Sequence, residues 1–174
     1  VVALDADTIE QVITNIRLAG ILTGKEKEAE QLTDHMKAKM KEIAEKVQGL
    51  AKPKVFFEVW DDPLMSAGTS SFIHNVIEAA GGINIADDIQ GWGQFNSEQV
   101  IARNPDVILE TYSYMENKVV ENIKKRQGWQ NIEAIKSNRV FSLDSNIISR
   151  QGPRIIDGLE LMAKTIYPEL FKQE

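Results

Sequence analysis

The sequence predicts an α/β protein, a three-layer α/β/α lobe with a short, mostly parallel sheet, preceded by a long helix. Three observations lead there. Lys54-Val-Phe-Phe-Glu-Val59 places apolar side chains on both faces, as a strand covered on two sides does. Val107-Ile-Leu109 and Val140-Phe-Ser-Leu143 are further strand-like runs, each preceded by a helix, which is the grammar of an open α/β sheet. Residues 24–48 carry a single apolar stripe on an otherwise charged helix. In an open sheet of this kind the ligand crevice lies outside the carboxyl ends of the strands.

Taken in order, Val1-Val-Ala-Leu4 reads as the tail of a strand, so the chain reads as a fragment. Asp7 is the expected N-cap of a first helix, with Glu10 completing a capping box and the helix ending near Leu22. Thr23 with Glu26 is the expected second box, opening the long helix. Its stripe is Ala29, Leu32, Met36, Met40, Ile43, Val47 and Leu50, and at 1.5 Å per residue it spans about 37 Å before Gly49 and Pro53. The stripe alone fits a coiled-coil seam or a helix lying on a core. Gly20-Ile-Leu-Thr-Gly24-Lys25 is not a phosphate loop, because the glycine spacing is short and Glu26 stands where Ser or Thr would bind magnesium.

After the strand at residues 54–59 a loop is expected over Trp60 to Ser70, then a Ser-capped helix from Ser71 to Ala80 ending at Gly81-Gly82. A second loop, Ala86 to Phe95, precedes a helix from Asn96 that stops at Asn104-Pro105. Helical segments follow at residues 117–127 and 131–136, where Lys124-Lys125-Arg126 reads as a solvated helix end complementing the dipole. A last helix begins at Pro153 and buries Ile155, Leu159, Met162 and Ile166 until Pro168 stops it.

The 174 residues, 43% hydrophobic and 26% charged, suffice for one core. A net charge of −6 argues against nucleic acid as a partner. With no cysteine, disulfides and thiolate metal sites are excluded. No apolar run in these 174 residues is long enough to span a membrane, and none of them reads as a signal peptide.

Residues 54–105 also carry a resemblance. Pro63-Leu-Met-Ser-Ala-Gly68 after a strand, Phe72-Ile73, Ala80-Gly-Gly82, Asn84-Ile85, Trp92, Ser97-Glu-Gln-Val100 and Asn104-Pro-Asp-Val-Ile108 resemble the C-terminal lobe of one family. It comprises the periplasmic or lipoprotein substrate-binding proteins that feed cobalamin and ferric-siderophore ABC importers. The resemblance implies that residues 1–50 are an interlobe strand end and bridging helices, and that 51–174 are the C-terminal lobe. The N-terminal lobe would then lie before Val1. It also implies an extracytoplasmic protein, anchored as a lipoprotein, that captures a metal chelate and delivers it to a membrane permease without covalent chemistry or a cofactor.

Loops at strand carboxyl ends gather Trp60, Met65, Trp92, Phe95, Tyr112, Tyr114 and Arg150, a set suited to a large, flat, partly apolar ligand. Trp60 either closes the core or faces the crevice. Trp92, between two glycines, is poorly packed by its own neighbours, and the resemblance matches it to a cleft tryptophan of cobalamin binders. Arg150 either pairs with a local acid or, by resemblance, holds amides or an anionic chelate. Glu98 sits in a first helical turn, where the dipole favours any acid; by resemblance it docks on an arginine of the permease. His35 and His74 are too few for the three-histidine sites of related binders of bare metal ions, and Asp61-Asp62 before Pro63 reads as a turn. The rival reading is an enzyme or cofactor-carrying α/β domain, for which two histidines and no cysteine supply little.

Overall fold

The computed structural model of the protein describes residues 2–113 and 118–171. Helix α1 (Ile9–Thr23) is capped one residue later than the sequence suggests, by Thr8 with Gln11 instead of Asp7 with Glu10. That start buries Ile9, Val12 and Ile13, and the Ile9 amide donates to Asn75 Oδ1 at 3.0 Å. Thr23 does not open the next helix. It ends α1, donating its hydroxyl to the Ala19 carbonyl, and Gly24 breaks the helix in the left-handed region at φ 68°. Helix α2 (Glu26–Val47) starts at Lys25 with no side-chain cap. Its buried face is Ala29, Thr33, Met36 and Ile43, while Leu32 and Leu50 of the expected stripe stay at the surface.

Strand β1 (Lys54–Asp61) outruns its expected end and turns at the cis Asp62-Pro63 bond into β2 (Leu64–Ala67). The expected loop after β1 is therefore largely a hairpin. Helix α3 (Phe72–Ala79) starts where Ser71 caps it, and leads through β3 (Ile83–Asn84) to β4 (Trp92–Gln94), a strand where a loop was expected. Helix α4 (Ser97–Arg103), capped by Asn96 with Gln99, precedes β5 (Val107–Glu110). Then come α5 (Val119–Lys125), a 3-10 turn Trp129–Asn131, α6 (Glu133–Lys136), β6 (Val140–Ser142), α7 (Ser145–Ile148) and α8 (Ile155–Ile166).

The sheet order is β4-β2-β1-β5-β6, with β5 and β6 parallel to β1. On its other edge β1 is shared, with β3 running parallel to its start and β2 antiparallel to its end. One face carries Val55, Phe57, Val107 and Leu109 against α1, α2, α3 and α8. The opposite face carries Phe56 and Ile108 against Phe95, Val100, Ile123, Trp129 and Ile132. These are the three layers the sequence predicts. Met36 and Ile43 of α2 share the first core with Leu159 and Met162 of α8, so the long helix is seated on the sheet's own packing.

Candidate functional site

The carboxyl ends of β1, β5 and β6 lie side by side, and the side chains there form two groups. The first is aromatic. Trp60, near the end of β1, is 37% exposed and lies on Tyr112, with ring centroids 5.4 Å apart and planes inclined by 49°. The Trp60 indole N–H donates to the Asp62 carbonyl at 3.0 Å, fixing one edge of the ring. Strand register sets Met65 beside both Trp60 and Gln94, and Trp92 beside Ala67 on the edge strand. Trp92 is 53% exposed, as its glycine neighbours lead one to expect.

The second group is polar. A hollow of about 310 Å³ opens between the ends of β5 and β6, lined by Thr111, Ser113, Ser142, Leu143, Asp144, Ser145 and Asn146. Arg150 stands at its rim, exposed, donating to Asn146 Oδ1 at 2.7 Å. Trp60, Met65 and Trp92 do not line this hollow. Tyr112 stands between the groups, flanked by Thr111 and Ser113.

Beneath the rim lie two fully buried acids, Glu58 and Glu110, in-register neighbours on β1 and β5. Glu58 accepts a bidentate pair from Arg126, at 2.7 and 2.8 Å, and a hydrogen bond from the Tyr112 hydroxyl. Glu110 accepts from the Tyr112 and Ser113 amides at 2.7 and 2.9 Å and from the Ser113 hydroxyl, folding the chain after β5 back on itself. Burial and then the neighbouring Glu58 charge push the Tyr112 phenol above its ordinary range, so it remains a donor. Burial opposes the charge on Arg126, but Glu58 outweighs it and the guanidinium is held charged. Arg126 also lies over the Trp129 ring at 4.3 Å.

Several sequence expectations are revised here. Phe95 is core, 5% exposed, packed on Phe56 with Arg103 over its ring. Arg126, half-buried, pairs with the fully buried Glu58 instead of forming a solvated helix end; its partner lies 68 residues away. Tyr112 is only 5% exposed, with its hydroxyl engaged by Glu58. Asp61 pairs with Leu64 across the turn that Asp62 and Pro63 make, and His74 Nδ1 lies 3.2 Å from Asn84 Nδ2. Glu98 is exposed in the first turn of α4. Tyr114 lies outside the described residues. Among the described residues no cluster of His, Asp and Glu could hold a metal ion.

Residues 1–147 match the sequence profile of the periplasmic binding proteins. The chain belongs to the periplasmic binding protein family. That family consists of binding proteins and not enzymes, which removes the rival enzyme reading. Among its relatives is the uncharacterized ABC transporter substrate-binding lipoprotein YvrC of Bacillus subtilis, 35% identical over 173 residues, covering 97% of this chain and 54% of the relative. The vitamin B12-binding protein of Salmonella typhimurium is 32% identical over 154 residues, covering 88% of this chain and 55% of that protein. Among solved structures, a possible iron-binding periplasmic solute-binding protein of Staphylococcus epidermidis superposes with a TM-score of 0.86 at 34% identity, over 95% of this chain and 66% of that one. The chain spans about half the length of the curated relatives it matches.

Glu58, Glu110 and the polar lining of the hollow escaped sequence reasoning, and Arg126 was taken for a solvated helix end. The signal was there for one of them. An acid between Phe57 and Val59, in a strand covered on both faces, calls for a distant charged or hydrogen-bonding partner.

Proposed function

We propose that this chain is the C-terminal lobe, residues 51–174, with the bridging helices of residues 1–50, of the substrate-binding component of an ABC importer. It captures a metal chelate, cobalamin or a ferric siderophore, and delivers it to a membrane permease. The whole protein is extracytoplasmic and anchored as a lipoprotein, as the name of the Bacillus relative supports. A second lobe supplies the other wall of the site, in keeping with the greater length of the relatives.

The observation that carries this reading is the one-sided construction of the site. Exposed Trp60 and Trp92 offer apolar faces, the hollow at the ends of β5 and β6 offers hydroxyl and amide groups, and Arg150 is exposed at its rim, bonded to Asn146. Such a floor suits a ligand with a broad apolar face and a polar periphery, gripped from above by another wall. Trp92 and the vitamin B12-binding relative favour a corrin. Arg150 favours an anionic iron chelate, and the possible iron-binding structure agrees with it. Of the two groups suited to an iron chelate, Tyr112 has its hydroxyl occupied, which tips the balance towards cobalamin. Glu98, exposed at the start of α4, is the docking contact for the permease.

Titration calorimetry of the full-length protein and of this chain alone, with cyanocobalamin and with a ferric hydroxamate, tests the proposal. Binding by the full-length protein, weaker by three or more powers of ten in this chain alone, is expected, because one wall leaves much of the ligand in water. Equal affinity in the two would end the two-walled reading. Binding of neither probe would end the chelate reading.

A further inference from the structure

We infer that the Glu58–Arg126 pair, buried at its acid, is a positioning device for the crevice, acting through Tyr112 to set the attitude of the Trp60 ring towards the ligand. The inference rests on the reading of Trp60 as a ligand-facing residue.

Contacts run without a break from the core to the rim. Trp129, fully buried, underlies the Arg126 guanidinium at 4.3 Å. Arg126 grips Glu58 in a fork, which fixes the plane of the carboxylate as well as its place. Glu58 Oε1 takes the Tyr112 hydroxyl in addition to one arm of that fork. The Tyr112 backbone is clamped independently, because its amide donates to the buried Glu110. Held at its backbone and at its hydroxyl, the Tyr112 ring has its long axis fixed in place, and Trp60 rests on that ring.

The energetics point the same way. Burying the Glu58 charge costs several kcal/mol of desolvation, and apolar residues of equal volume commonly replace buried pairs without loss of stability. Stability therefore gives little reason to keep two acids and a guanidinium under this rim. Geometry gives a better one. Apolar packing would let the Tyr112 ring slide, whereas the carboxylate accepts its hydroxyl at one point. The ladder holds the Trp60 backbone opposite Met65 and the Asp62 carbonyl holds one edge of its indole, which leaves the Tyr112 ring to support its face. Neither Glu58 nor Arg126 needs to touch the ligand; both act through Tyr112.

The test uses the full-length protein with Tyr112→Phe, which keeps the supporting ring but cuts it from Glu58, and with Trp60→Ala and the double variant. Two readouts are taken, the indole N–H resonances in a proton–nitrogen correlation spectrum and the affinity for cyanocobalamin and for a ferric hydroxamate. The Trp60 resonance, assigned by its loss in Trp60→Ala, is expected to shift and broaden in Tyr112→Phe while that of Trp92 stays in place. Affinity for whichever probe binds is expected to fall about tenfold in Tyr112→Phe, the scale of one well-oriented aromatic contact, and to fall no further when Tyr112→Phe is added to Trp60→Ala. A merely structural role predicts the opposite, an unmoved Trp60 resonance and losses that add. Either result overturns the inference. If neither probe binds the wild type, the chelate reading fails by itself, and the Trp60 resonance still decides whether the pair positions the ring.

Discussion

Gly68 closes the motif that begins at Pro63, and replacing it tests how the edge strand carrying Trp92 is held. A Cβ built on Gly68 would stand 2.0 Å from the Ile89 carbonyl oxygen, 2.6 Å from its carbon and 2.8 Å from the Ala86 carbonyl oxygen. All three are backbone atoms, so no side-chain rotation relieves them, and the segment carrying Ile89 must retreat by more than an ångström. That segment is tied to the Gly68 neighbourhood by three hydrogen bonds. The Gly68 amide donates to the Gly91 carbonyl at 2.7 Å, the Gly91 amide to the Thr69 carbonyl at 2.6 Å, and the Thr69 hydroxyl to the Ile89 carbonyl at 2.9 Å. Gly68→Ala should therefore cost about 2 to 3 kcal/mol, the upper range for overpacking, because it forces backbone movement. For a chain of this size that lowers the Tm by about 5 to 10 °C. Differential scanning calorimetry measures it. Gly152→Ala, where an added Cβ meets nothing within 4 Å, is the control and should melt at or up to about 4 °C above wild type. If Gly68→Ala melts with the control, the close approach of the two backbone segments is not what holds the edge strand.

Trp92→Ala in the full-length protein should weaken chelate binding by about 1 to 3 kcal/mol in calorimetric titration. It should scarcely change the Tm, because the ring is already more than half exposed. Glu98→Arg should leave ligand affinity intact while weakening association with the permease in a pull-down from membranes, as reversal of a rim charge acts on encounter and docking. On acidification, the hydrogen bond from Arg103 holds the Asp88 carboxyl below its ordinary value of 3.8. Its stabilising share is present above that value and lost as pH falls through the lower folded value. Arg103→Met should accordingly flatten the fall of Tm below about pH 4.

Strand β1 was legible because Val55 and Phe57 alternate with Phe56, a pattern that needs no distant partner to be recognised. Strands β2 and β4 were not. Leu64–Ala67 follows a proline turn and Trp92–Gln94 has a glycine at its centre, so each is extended only through hydrogen bonds to a neighbour that local propensity does not encode. The caps of α1 and α2 were misplaced for a related reason. Asp7 and Thr8 can both cap, and the choice falls to whichever register buries Ile9. The aromatic candidates were legible as residue types, and the register that sets Met65 beside Trp60 was not. Arg126 was hidden among Lys124 and Lys125, where a basic run at a helix end has a sufficient local explanation.

The hairpin of α1 and α2 behaves as a cantilever. Its root is set in the sheet's packing by Ile9, Met36 and Ile43 and pinned by the Ile9 bond to Asn75, whereas towards its tip Leu18, Ile21 and Leu22 stand exposed. Halfway along, Arg17 laces the two arms together by donating to the buried Thr33 hydroxyl at 3.0 Å and to Asp34 at 3.3 Å. A force applied at the Gly24 turn is thus not absorbed by the arms sliding past one another. It is passed instead to Met36 and Ile43, which share one core with the strands that end at the crevice.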